Sequence, residues 1–218
     1  MNKIKSFFQR YSELKSHKVF YLQFFLGLLF LAISLVLNYA ANTYTATHGS
    51  SAVTDIVLDN IPTMRVDAVF FEGIITFVAF ITLLALARPK RIPFLLKSIA
   101  LWVAVRSFFL ILTHLAPPAH PALSPSGNIF EKLASGSGSD LFFSGHTGLP
   151  FLMAMLFWED KILRYVFLAA SVIFGSAVLL GHLHYSIDVF SAFFITYGIY
   201  RIAVKIFPAD SKLFDGSI

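Results

Sequence analysis

The sequence predicts an all-α polytopic membrane protein with six transmembrane helices and both termini cytoplasmic. It divides into a basic leader over residues 1–18, one membrane domain over 19–207 and a short tail over 208–218. Three observations predict this. First, 57% of the 218 residues are apolar and 13% are charged, against about 25% charged in soluble domains, so a water-soluble fold is excluded. Second, the apolar residues gather into runs near the roughly 20 residues that cross a bilayer. Third, Lys and Arg alternate from one side of these runs to the other, with the excess that marks the cytoplasmic face.

The first run, Val19 to about Ala41, follows the leader and is too long for a signal-peptide core, so it reads as a retained anchor. A polar stretch from Asn42 to Asp67 follows, in which Asp55 and Asp59 stand four apart, as on one face of a surface helix. The second run extends from Ala68 to Ala87, and a basic turn, Arg88 to Arg91, leads into the third, roughly Pro93 to Leu115. Ala116-Pro-Pro-Ala-His-Pro121 then forbids helix, and the connection to Asp140 is rich in Pro, Gly and Ser. The fourth run is about Leu141 to Trp158, the fifth reaches about Leu183, and the sixth spans Ile187 to Phe207.

Five basic residues lie in the leader, four between Arg88 and Lys97, two at Lys161 and Arg164, and three at Arg201, Lys205 and Lys212, which places 14 of 17 on one side. The loops near residues 42–67, 116–140 and 184 therefore face outward. The net charge of +5 is topological and gives no ground for nucleic acid as a partner. Cysteine is absent, which excludes disulfides, thiolate metal sites and a cysteine nucleophile.

An ionisable side chain near mid-bilayer costs roughly 2.5 to 3.5 kcal/mol on insertion scales, so such residues are usually paired and functional. Glu72 lies about 7 Å below the outer boundary and Arg106 about 13 Å below it, counted at 1.5 Å per residue. The two read either as a structural ion pair or as an anion-binding Arg with a supporting acid. The densest polar clusters are Ser139 to Thr147 and Gly181 to Asp188, both at the outward end. His184 and Asp188 are four apart, so a carboxylate can hold one ring nitrogen protonated and leave the other as nucleophile or base. His146 adds a second imidazole beside Gly145, whose lack of a side chain lets backbone N–H groups approach an anion, with Ser144 and Thr147 as phosphate-contacting hydroxyls. Two imidazoles, a carboxylate and a cation are what phosphoryl transfer without a metal requires. His182, His184 and Asp188 read alternatively as a Zn or Mn ligand set. His17, His48, His114 and His120 read as interfacial anchors.

The run Asp140-Leu-Phe-Phe-Ser-Gly-His-Thr147 and the later His184-Tyr-Ser-Ile-Asp188 resemble the two signature segments of the sphingomyelin synthase family. That family is a branch of the lipid phosphate phosphatase, or type 2 phosphatidic acid phosphatase, superfamily. Glu72, the Asp55 to Asp59 segment, Val105-Arg106 and Leu115-Ala-Pro117 add to the similarity, which covers about residues 50 to 207. The resemblance implies six spans, an outward-facing site, His184 as a nucleophile that carries a phosphohistidine, Asp188 as its orienter and His146 as the acid and base. Asp140, Glu72 and Arg106 fall at matching positions as phosphate- or substrate-binding residues. The superfamily's Lys-x6-Arg-Pro segment is missing, since Arg88-Pro89 is cytoplasmic and has Ile81 where Lys would stand. Its Ser-Arg pair ahead of the nucleophile is Ala177-Val178 here. These absences favour the synthase branch.

The leading expectation is a membrane lipid phosphotransferase in a bacterial inner or plasma membrane, without metal or cofactor. Its partners are a phospholipid donor and a diacylglycerol- or ceramide-like acceptor. The alternative is a lipid phosphate or polyprenyl diphosphate phosphatase with water as acceptor. A third reading, a proton-coupled carrier, wants ionisable groups through both halves of the membrane, and apart from Lys97 the inward half is bare.

Overall fold

The computed structural model describes residues 18–118, 121–122 and 141–216, and among these there is helix but no strand. The first helix, α1 (Lys18–His48), has 31 residues, about 46 Å at 1.5 Å per residue against a hydrocarbon thickness of about 30 Å. It outruns the predicted boundary at Ala41 because Thr43, Thr45 and Thr47 turn their hydroxyls back onto carbonyls of the preceding turn, so polar residues continue the helix. At its end His48 stacks on Tyr44 at 4.1 Å and nears His114 at 5.9 Å, an arrangement suited to the interface. The predicted surface helix around Asp55 and Asp59 is replaced by irregular chain and a short 3-10 turn, Leu58–Asn60. The Asp55 carboxylate accepts from the N–H groups of Val57 and Leu58, a local bond that competes with helix.

The second run opens as a π-helix over Ala68–Gly73 and continues as α2 (Ile74–Ala87). A 3-10 turn at Pro89–Arg91 leads into α3 (Ile92–Leu112). There follow α4 (Gly145–Leu156), α5 (Lys161–Leu180), α6 (Ser186–Ile206) and α7 (Pro208–Asp215). α1 packs chiefly on α3 and leaves large apolar residues such as Phe25 and Leu35 outward. α2 meets α5 through Phe77 and Phe80 against Phe167 and Phe174.

Among the described residues five helices are long and apolar enough to cross a membrane, where six runs were expected. The exception is α4, whose 12 residues extend about 18 Å. The predicted run loses its first residues to the irregular strap Leu141–Ser144 and its last to the turn before Asp160. It still joins the two ends of the bundle: the Ser144 amide donates to the Asp188 carbonyl at 2.9 Å, while Asp160 pairs with Arg88 at 3.0 Å at the opposite end. Leu152, Met153 and Ala154 are fully buried, so α4 is a central post packed on α5 and α6, with Trp102 and Arg106 of α3 against its first turns.

Gly148 makes that packing feasible. A Cβ built there would stand 2.8 Å from the Trp102 ring and 3.0 Å from Thr196 Oγ1, and these two side chains are themselves bonded at 2.9 Å across α3 and α6. Gly148→Ala is expected to lower stability by about 1–3 kcal/mol through overpacking, read as a lower Tm in detergent. An unchanged Tm would show that the indole yields freely.

Lys97, 3% exposed, reaches Asp210 of α7 at 2.6 Å and the Gln23 side chain of α1. The start of α1 and the end of the chain therefore share one end of the bundle, as the alternation of basic residues anticipates. The tail is more than an appendage, for Asp210, Ser211 and Phe214 are buried.

Candidate active site

The site lies at the opposite end, where the α5–α6 turn, the strap before α4 and the loop after α1 converge. α5 closes with a Schellman motif: Leu183 N–H bonds the Val178 carbonyl and His182 N–H bonds the Leu179 carbonyl, both at 2.9 Å. The left-handed position of that motif falls on His182, at φ 50°, where glycine is usual. The sharp reversal brings His184, 5% exposed, against the strap.

His184 Nδ1 lies 2.9 Å from the Leu141 carbonyl oxygen. A carbonyl only accepts, so Nδ1 carries the proton and Nε2 keeps its lone pair. The sequence reading gives an orienting role to Asp188, which the structure places beside the same ring nitrogen. Asp188 Oδ2 stands 3.6 Å from Nδ1 because it is occupied by the Tyr185 N–H at 3.0 Å, the reciprocal half of a capping box at the start of α6. Asp188 is fully buried, and among the described residues its Oδ1 has no hydrogen-bond partner. Its carboxyl faces the imidazole at 3.6 Å, while the Leu141 carbonyl fixes the tautomer.

His146 sits in the first turn of α4, its ring stacked on Phe70 at 4.1 Å and its Nε2 3.2 Å from the Phe70 carbonyl of the π-helix. A carbonyl only accepts, so that contact places a proton on Nε2. Arg106, 5% exposed, donates from Nε to the Phe143 carbonyl at 2.8 Å, and its guanidinium lies beside Gly145. A guanidinium thus adjoins the N-terminal amides of α4, two elements that each favour an anion.

Other predicted contacts are placed elsewhere. Glu72 is exposed on the π-helix and makes no ion pair with Arg106, because the wider turn changes the rotation assumed for an α-helix and Arg106 faces the strap. Ser144 is fully buried as the N-cap of α4, accepting from the Thr147 N–H. Thr147, also fully buried, faces Gly175 of α5, and its carbonyl accepts from Ser171. Both hydroxyls are buried, that of Ser144 at the N-cap and that of Thr147 against Gly175. Asp140, His17 and His120 lie outside the described residues. No group of three His, Cys, Asp or Glu suited to a metal occurs among the described residues. His182 instead borders an outer cavity of about 190 Å³ with Asp55, Asp59, Thr63 and Tyr185.

Sequence reasoning missed what holds this end together. Tyr185, 1% exposed, donates its hydroxyl to the Ala116 carbonyl and accepts from the Val53 N–H, tying two outer loops to the turn. Its place between His184 and Asp188 was the available signal. Asp55 Oδ2 accepts from the Ser186 N–H at 2.7 Å and so caps α6 from a distant loop. Burial pushes the Asp55 carboxyl up, but its bonds from Ser186, Leu58 and Val57 outweigh this and hold it below the usual value. A carboxyl lowered in this way stabilises the fold above about pH 4 and loses that contribution as pH falls further. Asp55→Asn is accordingly expected to lower stability by about 1–3 kcal/mol at neutral pH, with the gap closing below about pH 4. Thermal unfolding across that range checks it, and a gap independent of pH would remove the charge from the explanation.

The arrangement supplies an imidazole with a locked tautomer, a second imidazole, a buried carboxylate and a cation at a helix N-terminus, which is the equipment of phosphoryl transfer. Residues 138–205, which include His146, His184 and Asp188, match the family described as PAP2 superfamily C-terminal. No curated protein and no solved structure matches the chain. The match covers just under a third of the chain and supports a lipid phosphatase or phosphotransferase related to the phosphatidic acid phosphatases, and the five long apolar helices support an integral membrane protein.

Proposed function

We propose that the enzyme is a transferase of the sphingomyelin synthase type, moving a phospho-headgroup from a glycerophospholipid to a lipid alcohol through a phosphohistidine at His184. The observation that carries this reading is the source of the cation. Where the phosphatases' Ser-Arg pair would stand, Ala177 and Val178 are buried, Val178 packed with Phe70, Phe71 and Val189. The charge that meets the phosphate comes instead from Arg106 on α3.

In the first half-reaction the Nε2 lone pair of His184 forms a bond to phosphorus as the bond to the diacylglycerol oxygen breaks. His146 gives that oxygen its proton. The phosphorylated imidazole is positive, and Asp188 at 3.6 Å faces that charge while Nδ1–H stays on Leu141. In the second half His146 takes the proton of the acceptor alcohol, whose oxygen attacks phosphorus, and the N–P bond breaks. Arg106 and the α4 amides neutralise the phosphate oxygens in both steps.

Purified protein in vesicles with headgroup-labelled phospholipid tests the reading. Label that moves to a new lipid only when diacylglycerol or ceramide is supplied supports the transferase. Release of a water-soluble headgroup at the same rate without acceptor assigns a phosphatase. The partition of basic residues supports an outward-facing site. A cysteine at exposed Asn60 is then expected to react with an impermeant thiol reagent in intact cells, and one at exposed Lys212 to be protected. The reverse pattern would put the chemistry on the cytoplasmic face.

A further inference from the structure

A pocket of about 310 Å³ opens at the end remote from His184, between the Arg88–Arg91 turn and the last turn of α7. Its chemistry is set by Arg88, Lys90, Arg91, Phe214 and Asp215. Arg106 is about 22 Å further along α3 than Arg91, at 1.5 Å per residue over 15 residues, so the pocket is separate from the catalytic end. We propose that it is a second phosphate site, which holds the headgroup of an anionic phospholipid in the leaflet at this end.

Three features support this. The lining carries three bases against one carboxylate, at the boundary between α2 and α3 where lipid phosphates lie, and basic pockets at this depth suit anionic headgroups. Of the three bases only Arg88 makes a close ion pair, with Asp160 at 3.0 Å, while Asp160 and Asp215 act on Arg91 at longer range. Among the described residues Lys90 and Arg91 make no side-chain hydrogen bond or ion pair. The Arg91 guanidinium lies over Phe157 at 5.3 Å and Phe214 at 4.8 Å. These rings fix its plane and leave its N–H edge for a phosphate, which a planar fork meets with two bonds. The N-terminus of α3 follows directly and adds its positive dipole end.

The ligand chemistry, a phosphate oxyanion, has two sources: a lipid headgroup, or free phosphate in the adjoining water. Thermal unfolding of the full chain in detergent, titrated with dihexanoyl phosphatidylglycerol, dihexanoyl phosphatidylcholine or inorganic phosphate, tests the proposal and separates them. Phosphatidylglycerol is expected to raise Tm, and phosphatidylcholine to do so far less. The apparent affinity for phosphatidylglycerol is expected to fall about fivefold in Lys90→Gln and roughly tenfold or more in Arg91→Gln. In Arg106→Lys the shift should persist. Inorganic phosphate reproducing the shift would keep the site and assign it to the free ion, whereas a shift from the lipid alone assigns the headgroup. Equal stabilisation by phosphatidylcholine overturns the proposal. So does a shift that survives Lys90→Gln and Arg91→Gln but disappears in Arg106→Lys, since the ligand then sits at the catalytic end. Should Arg91→Gln fail to fold, Lys90→Gln, whose side chain is exposed, decides alone.

Discussion

His184→Ala is expected to abolish turnover and phosphoenzyme together, while His146→Ala separates the two. An imidazole that attacks phosphorus becomes covalently labelled, whereas one that only moves protons never does. Losing the proton donor slows the departure of a lipid alkoxide by about a hundred- to ten-thousandfold. It matters far less for nitrophenolate, which leaves without a proton. With an activated phosphodiester the His146→Ala protein should therefore still acquire acid-labile label, then discharge it slowly, because the same ring deprotonates the acceptor. The label should map to the peptide containing His184. Label on His146, or wild-type turnover in His184→Ala, would reverse or abolish the assignment.

Arg106→Lys is expected to reduce turnover by about a hundred- to a thousandfold, the range for removing one preorganised oxyanion donor, although the charge is kept. Two losses combine. Lysine has no planar fork for the phosphate oxygens, and it cannot reproduce the Nε bond that fastens Phe143 of the strap at 2.8 Å. Leu141, two residues away, sets the His184 tautomer, so a loosened strap also blurs the nucleophile. A pre-steady-state burst separates the losses: a smaller burst rate at unchanged Tm reports the phosphate contact, and a lowered Tm reports the strap. Wild-type turnover in Arg106→Lys would show that a point charge suffices.

What the sequence made legible was the chemistry carried by side chains at fixed spacing. His184 and Asp188 share a helical end, and the strap before His146 meets them, because the four-residue separation and the common register of both clusters survive folding. What stayed hidden was carried by the backbone. The Leu141 carbonyl that fixes His184 has no residue signature, and neither does the left-handed conformation of His182, since a histidine there replaces the expected glycine. The π-turn displaced Glu72, because counting at 1.5 Å and 100° per residue presumes an α-helix. The burial of Ser144 and Thr147 was hidden for a related reason: a hydroxyl in a polar cluster looks exposed in the sequence, whereas the N-cap and the close approach of Gly175 enclose it. In the fold, the apolar run from Leu141 to Trp158 was visible, but the shortness of α4 depends on its surroundings.

That shortness bears on how the enzyme is made. A helix of about 18 Å cannot by itself match a hydrocarbon layer of about 30 Å, and the irregular strap above it is tolerated only when buried in protein. α4 is therefore retained in the bilayer as part of a hairpin with α5. The carbonyl of Asp188 that receives the Ser144 amide is synthesised about 44 residues later, a delay of several seconds at roughly 5–20 residues per second. During that interval His146 and Arg106 are already made while His184 and Asp188 are not. Until α6 is made the strap has no acceptor for the Ser144 amide, so His146 and His184 are brought to one end of the bundle in a single step, when α6 docks.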